Sequence, residues 1–431
     1  SPGAGQLTVN QGSDRAVIDW NSFNIGKDAT TEFVQPGQNS LAVNRVTGAG
    51  TDPTQILGTL RANGRVMVLD RNGVIFGKQA RVDVGGIVAS TGDVSNAQVM
   101  SGADRIELTQ NGSTGAVENH GTITVADGGL AALVAPTVRN NGTINARLGR
   151  VGLASGDKVT VDLYGDNLIE MEVAGTAQKA LVENAGVINA EAGLIQISTS
   201  TAKNVVDNVI NLDGVTNVSS VSQQGGRIEL SGGDVNVRGT VNASGRTGGS
   251  VNVAARNITT ARTASISANA AAGQAAGRVD LVATNNGSFD GSISAVGAKG
   301  TGFVDTSAAN VSFGNNLRVA ATDEWLIDPT NLAIDAASVA ALANQLNFSG
   351  NVTLTTPAAG ADAGNITVSA LLTWNSINSL TLTAINNIAI VAGGGLQSQG
   401  AGNITLNAGR DITVGGSGIS TLGMALVYQE T

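Results

Sequence analysis

Short apolar runs separated by Gly, Asn and Asp recur along the whole 431-residue chain. Val66-Met67-Val68-Leu69 is one, of a length that suits a buried strand. Asp70-Arg71-Asn72-Gly73 follows with turn chemistry: a carboxylate that accepts from nearby N–H groups, then two residues that tolerate left-handed angles. Val74-Ile75-Phe76 resumes the strand. Alone, this stretch predicts a β-hairpin.

From about residue 104 the pattern repeats. Asn119-His120-Gly121-Thr122-Ile123 returns as Asn140-Asn141-Gly142-Thr143-Ile144 and as Asn184-Ala185-Gly186-Val187-Ile188. Gly121 to Gly142 is 21 residues, and Gly142 to Gly186 is 44, which reads as two steps of 22. Weaker copies follow at Gly239-Thr240-Val241, Ser265-Ile266-Ser267 and Ser292-Ile293-Ser294. Between them lie alternating runs such as Gly226-Arg227-Ile228-Glu229-Leu230, with one face turned inward. Repeats this short bury their apolar face only by stacking. The expectation is an all-β fold, a right-handed parallel β-helix with N-terminal capping strands or hairpins. About twenty coils at ~4.8 Å would make a rod on the order of 100 Å long.

Two segments depart from that pattern. Thr51-Asp52-Pro53-Thr54 suits a helical turn or the start of a strand. Asp335 can cap a short helix over 336–346, because Val339, Leu342, Ala343 and Leu346 share one helical face. Beyond it the β pattern resumes, and the 38 residues from Gly364 to Gly402 read as two shorter coils. Pattern changes suggest divisions at 1–110, 111–330 and 331–431.

Composition supports strands with tight corners: 58 Gly, few aromatics and 13% charged residues. With no cysteine and one histidine there is no disulfide framework, thiolate metal site or imidazole cluster. No apolar run reaches the ~18 residues of a transmembrane helix. The net charge of −9 is spread along the chain, without a basic stripe, which disfavours nucleic acid binding.

Around the turn stand Ala16-Val17-Ile18-Asp19-Trp20-Asn21-Ser22-Phe23-Asn24-Ile25-Gly26, Phe33-Val34-Gln35-Pro36, Leu41-Ala42-Val43-Asn44-Arg45-Val46 and Ala62-Asn63-Gly64. In this order and spacing they resemble the secretion domain of two-partner-secretion exoproteins, the filamentous haemagglutinin and high-molecular-weight adhesin family. The resemblance covers residues 6–103 closely and 104–330 more loosely. The family's usual turn is Asn-Pro-Asn-Gly. Here Asn72 and Gly73 match it, while Asp70 and Arg71 depart, and losing the proline costs ~0.4–1 kcal/mol of pre-organisation. The family's other tetrapeptide, Asn-Pro-Asn-Leu, has no clear copy.

The sequence pattern shows no polar cap before residue 431, and an uncapped β-helix end is an aggregation hazard, so the protein is expected to continue beyond it. The resemblance implies the N-terminal part of a secreted, surface-associated bacterial exoprotein of adhesin type, starting at a processed or trimmed end. It implies export through a dedicated outer-membrane transporter whose periplasmic domains recognise the N-terminal segment. The candidate export residues are Asn44, Arg45, Asn63, Gly64, Asp70, Arg71, Asn72 and Gly73. Host or neighbouring-cell glycans and proteins are the further candidate partners. No cofactor is implied.

Two alternatives compete with an adhesin. A stem of a contact-dependent toxin would carry its activity elsewhere. A β-helical polysaccharide lyase or hydrolase needs convergent carboxylates. Asp157, Asp162 and Asp166 are the best cluster, with Asp323 and Glu324 next, yet Asp157 and Asp162 only bracket a strand. His120 sits in a corner where Asn141 and Ala185 replace it in other copies, which suits a variable corner residue better than a general base. The chain is therefore expected not to be an enzyme.

Overall fold

The computed structural model describes residues 5–163, 169–172, 179–200, 208–357, 363–422 and 426–430. Compactness divides the chain into two units, Ser1–Val218 with Gly226–Val235, and Ser219–Gly225 with Asn236–Thr431. The pattern changes used above fall instead at 110 and 330. Among the described residues both units are built of parallel β-helix turns, about 16 rather than twenty.

In the first unit Ile123 lies opposite Ile144, and Ile144 opposite Ile188, all fully buried. The corner glycines stack as the repeat implies, Thr143 N–H donating to Gly121 O and Val187 N–H to Gly142 O. The 44 residues from Asn140 to Asn184 are nevertheless one turn, because their side chains meet directly. The extra length leaves the coil as Lys158–Asp162 and Ile169–Glu172. These strands pair antiparallel with each other, and Lys158–Asp162 pairs with Arg105–Thr109.

This added sheet explains the continuous apolar runs. Leu41–Val46, Arg65–Leu69, Gly86–Ser90, Leu130–Val134 and Arg150–Ser155 pair in parallel in that order. On their outer side Leu41, Val43, Met67, Leu69, Val88 and Ala132 pack with Ile106, Leu108, Val159 and Val161 of the added sheet. Val99, from the helix Asn96–Met100, joins the same cluster. The alternate residues Ala42, Val66, Val68, Ile87, Leu133 and Val151 are buried as well. A sheet covered on both faces needs apolar residues at every position rather than at alternate ones. Each large side chain so buried contributes roughly 1.5–3 kcal/mol.

The expected hairpin is not formed. Arg65–Leu69 pairs with Leu41–Val46 and Gly86–Ser90, while Gly73–Phe76 pairs with Thr54–Ile56 and Ala116–Asn119, all in parallel. Both edges of each strand are thus taken by neighbouring turns, and Asp70-Arg71-Asn72-Gly73 is a corner of one coil. Nor does a hairpin cap the N-terminal side among the described residues. Gln6–Asn10 pairs in parallel with Thr30–Val34, and Arg15–Trp20 with Leu41–Val46. The open question at residues 51–60 resolves to two strands, Thr54–Ile56 and Thr59–Ala62.

In the second unit Val241, Ile266, Ile293 and Val319 stack in register, so the weak copies are true rungs. Asn365, Asn387 and Asp411 form another column at steps of 22 and 24 residues. Gly364 and Gly402 are not equivalent: the first donates its N–H to Thr330 O, the second to Ser376 O. The helix runs Val339–Phe348, starting three residues later than expected. Asp335 instead closes a turn before it, its carboxylate accepting from the N–H groups of Ala337 and Ser338 at 3.0 Å. Gln345 then pairs with both backbone groups of Ala321, so the helix takes over the edge of the strand Arg318–Ala321. No helix among the described residues is long and apolar enough to cross a membrane.

Candidate functional site

The eight candidate export residues fall into three places in the first unit. Asn44 is fully buried, accepting from Trp20 Nε1 at 3.0 Å and donating to Ala42 O and Met67 O. Its alternation partner Arg45 points to the other face. There the guanidinium donates to Asp93, Asp19, Asn96 and the Val94 carbonyl. Arg45 thereby clamps the segment leading into the helix Asn96–Met100 onto the coil.

Asn63 and Gly64 form a second place, with Gln35 at its centre. Asn63 pairs its amide with both backbone groups of Gln35, each at 2.8 Å. Gln35 Oε1 accepts from Gly64 N–H, while its Nε2 donates to Gln11, Ser40 O and Arg65 O. A Cβ on Gly64 would stand 2.7 Å from both Gln35 Oε1 and Gly37 O. Gln35 is therefore as central as the residues singled out by sequence. Its signal was a polar side chain directly after the strand Thr30–Val34, before Pro36.

The third place is the corner at 70–73. Asp70 is 2% exposed. One carboxylate oxygen accepts from Thr54 N–H and Thr54 Oγ, the other from Asn72 N–H at 2.9 Å. Asn72 donates to Gly50 O. Gly73 has φ +127°, and a Cβ there would stand 2.7 Å from Ala116 O of the next turn. Asp70, Asn72 and Gly73 thus hold the stack itself. Arg71 is exposed, and its side chain makes no hydrogen bond or ion pair with any described residue. Arg45 and Arg71 come together as walls of one surface groove of about 220 Å³.

Among the described residues, those weighed for catalysis do not form a cluster. His120 shares a 3.0 Å hydrogen bond with Glu118, which also accepts from Arg139; Arg139 in turn donates to Glu183. Burial works against the charged form of Glu118, yet His120 and Arg139 together hold its carboxyl below the ordinary value. Burial likewise opposes the Arg139 charge, which Glu183 and Glu118 outweigh. The row is a cross-strand ion network on adjacent turns. Asp162 faces Arg105 at 3.9 Å across the added sheet, and Asp157 stands at the other end of that strand, giving its carbonyl to Gln110 N–H. Asp166 lies outside the described residues. Glu324 begins the strand Glu324–Ile327, next to Asp323. Among the described residues no group of three or more His, Asp or Glu is placed to hold a metal ion.

The family model of the TPS secretion domain matches residues 1–246. Two proteins of Haemophilus influenzae described as heme/hemopexin-binding are similar to this chain. One is 32% identical over 236 residues, covering 53% of this chain and 25% of that protein. The other is 33% identical over 263 residues, covering 56% and 28%. The chain thus spans about a quarter of the length of these relatives. The crystal structure of the HMW1 secretion domain from Haemophilus influenzae is similar at a TM-score of 0.62 and 25% identity. That likeness covers 76% of this chain and 96% of the other.

Proposed function

Because the chain belongs to the two-partner-secretion exoproteins, with their secretion domain over residues 1–246, we propose that this segment directs its export. It engages the periplasmic domains of a dedicated outer-membrane transporter while unfolded or partly folded, by adding strands to exposed edges. Outside the cell it nucleates the β-helix, and later turns stack upon it. The observation that carries this reading lies in how the matched segment is built. It holds the antiparallel sheet laid over the coil, with its own two-faced core. That core is a stable seed on which a repetitive stem can grow. The whole protein acts at the cell surface as an adhesin-like structure. Exposed Asn, Ser and Thr corners suit weak, repeated contacts with glycans or proteins of a host or neighbouring cell, which gain strength by multivalency.

Catalysis has no part in this proposal for these residues. In support, His120 is engaged with Glu118 and Asp162 faces Arg105. The purified chain should leave acidic and neutral polysaccharides intact. Release of new reducing or unsaturated ends that vanishes in Asp157→Ala or Asp162→Ala would promote the lyase or hydrolase reading.

The export reading is tested by giving the chain a periplasmic export signal and co-expressing it with a transporter of this class. The chain should reach the medium only when the transporter is present, and residues 247–431 alone should stay behind. Equal secretion without the transporter, or of 247–431 alone, would sink it.

A further inference from the structure

Five Asn-Gly pairs occur in the chain: Asn63-Gly64, Asn72-Gly73, Asn111-Gly112, Asn141-Gly142 and Asn286-Gly287. Asparagine is a labile residue, and most so before glycine. The glycine backbone nitrogen can attack the asparagine side-chain carbon, and no Cβ obstructs its approach. The reaction asks three things of the fold. The glycine N–H must be free, the asparagine side chain must be free to turn, and the backbone between them must be able to rotate.

Four of the pairs lack at least one of these. Gly64 N–H donates to Gln35 Oε1, and the Asn63 amide is tied to both backbone groups of Gln35. Gly73 N–H donates to Asp70 O, and the Asn72 amide to Gly50 O. Gly142 N–H donates to Asn119 O, and its carbonyl accepts from Val187 N–H. Gly287 is buried within the strand Arg278–Phe289, which is paired on both sides.

Asn111-Gly112 differs on every count. Both residues are exposed, and a Cβ on Gly112 would meet nothing within 4 Å. Neither the Gly112 N–H nor the Asn111 side chain makes a hydrogen bond with any described residue. The pair is the tip of a turn, with φ +48° at Asn111 and +73° at Gly112. Both residue types tolerate such angles. One backbone bond closes the turn, from Ser113 N–H to Gln110 O at 2.8 Å. Opening that bond lets Asn111 rotate into position for attack. The turn joins Arg105–Thr109 of the added sheet to the coil strand Ala116–Asn119.

We propose that Asn111 is a site of spontaneous deamidation, which the fold selects from the five. The Gly112 nitrogen gives its proton to solvent and bonds to Asn111 Cγ. The bond from Cγ to the side-chain nitrogen breaks, and ammonia leaves with a proton from solvent. Water then opens the resulting five-membered imide at either carbonyl. The products are aspartate and isoaspartate, in which the backbone runs through the side-chain carbons and is one carbon longer. The balance is amide plus water to carboxylate plus ammonium, with nothing oxidised or reduced. The tip gains a negative charge, and in the isoaspartate form the link between added sheet and coil is lengthened.

The full chain is aged in mildly alkaline buffer, one sample folded and one unfolded in concentrated guanidinium chloride. Peptide mapping by mass spectrometry, with enzymatic methylation to mark isoaspartate, gives a rate at each pair. Each folded rate is divided by the unfolded rate of the same pair, which removes the influence of neighbouring sequence. At Asn111 the folded rate should lie within about tenfold of the unfolded one, because a single hydrogen bond stands in the way. At the other four pairs the ratio should be lower than at Asn111 by roughly tenfold or more, because each must open more of the stack to free its nitrogen. A ratio at Asn111 no greater than at any of the other four would overturn the proposal.

Discussion

Asn119 donates its side-chain amide to the side-chain oxygen of Asn140 at 2.8 Å, and both residues are completely buried. Asn140 repeats the contact to Asn184 at the same distance, and Asn184 ends on the Thr216 hydroxyl. This column runs inside the corner where the glycines stack, and Asn119 also accepts from Gly121 N–H. A polar ladder is tolerable in a core only when each member is satisfied. Asn140→Leu should therefore cost more than the loss of one bond. It strands the Asn119 donor and the Asn184 acceptor, at about 1–3 kcal/mol each. Asn189→Ala, in a half-buried ladder with Asn145, should cost clearly less. Urea unfolding of the two variants separates them; equal losses would show that burial of the ladder is not what makes it matter.

The stacked glycines beside it make a sharper case. A Cβ on Gly142 would lie 2.2 Å from Gly121 O, which belongs to the backbone of the turn below. That oxygen cannot move without breaking the rung, because it accepts from Thr143 N–H. Gly128 offers the contrast: it has φ +76° and nothing within 4 Å of its Cβ position. Gly142→Ala should destabilise by about 3 kcal/mol, and Gly128→Ala by only the ~1–2 kcal/mol of a left-handed alanine. A reversed order in thermal or urea unfolding would show that corner spacing is softer than the stack implies.

The corner column was legible because one residue type recurs at one place in each turn, whatever the turn length. Counting residues between corners was not a safe guide to the number of turns. The excursion at Lys158–Asp162 has the same alternation as a coil strand, with Val159 and Val161 buried. Periodicity cannot distinguish a strand in the coil from one laid upon it. Yet the apolar run at 66–69 held the missing information, since a one-sided coil strand has no use for Met67 beside Val66. At the candidate site, residue types identified the corners but not their roles. Asp70, Asn72 and Gly73 are occupied by the stack, and only the burial of each side chain reveals Arg71 as the exception.

Asp305 gives the second unit a pH dependence. Burial pushes its carboxyl up to about 6, the Ser307 hydroxyl opposes this by donating to it, Asp280 raises it further, Arg278 lowers it and Asp328 raises it. Because the folded value lies above the ordinary 3.8, the fold prefers the protonated form. The associated stability is fully present below the ordinary value and is lost as pH rises through about 6. Asp305→Asn should therefore stabilise the chain by about 1–2 kcal/mol above that range, allowing for partial exposure, and do little in acid. Glu118, held below its ordinary value, contributes in the opposite sense, losing its stabilisation on acidification. Unfolding of wild type and variant across pH checks this; a constant difference at every pH would assign the effect to packing instead.

The added antiparallel sheet should prove separable from the coil that it covers. Val159 is fully buried between that sheet and the outer faces of the coil strands, in one cluster with Met67 and Val88. Val159→Asp would place an unpaired charge there, at about 3–5 kcal/mol. The coil strands below keep their own parallel hydrogen bonds and their inner apolar face. The variant should therefore lose hydrogen-exchange protection at Arg105–Thr109 and Lys158–Asp162 while Ile144 and Ile188 stay protected. It should also bind a hydrophobic dye, because Met67, Val88 and Ala132 become exposed. Loss of protection at Ile144 and Ile188 together with the sheet would show that the two form one cooperative unit. The export segment would then fold only when residues well beyond the corner at 70–73 had also emerged.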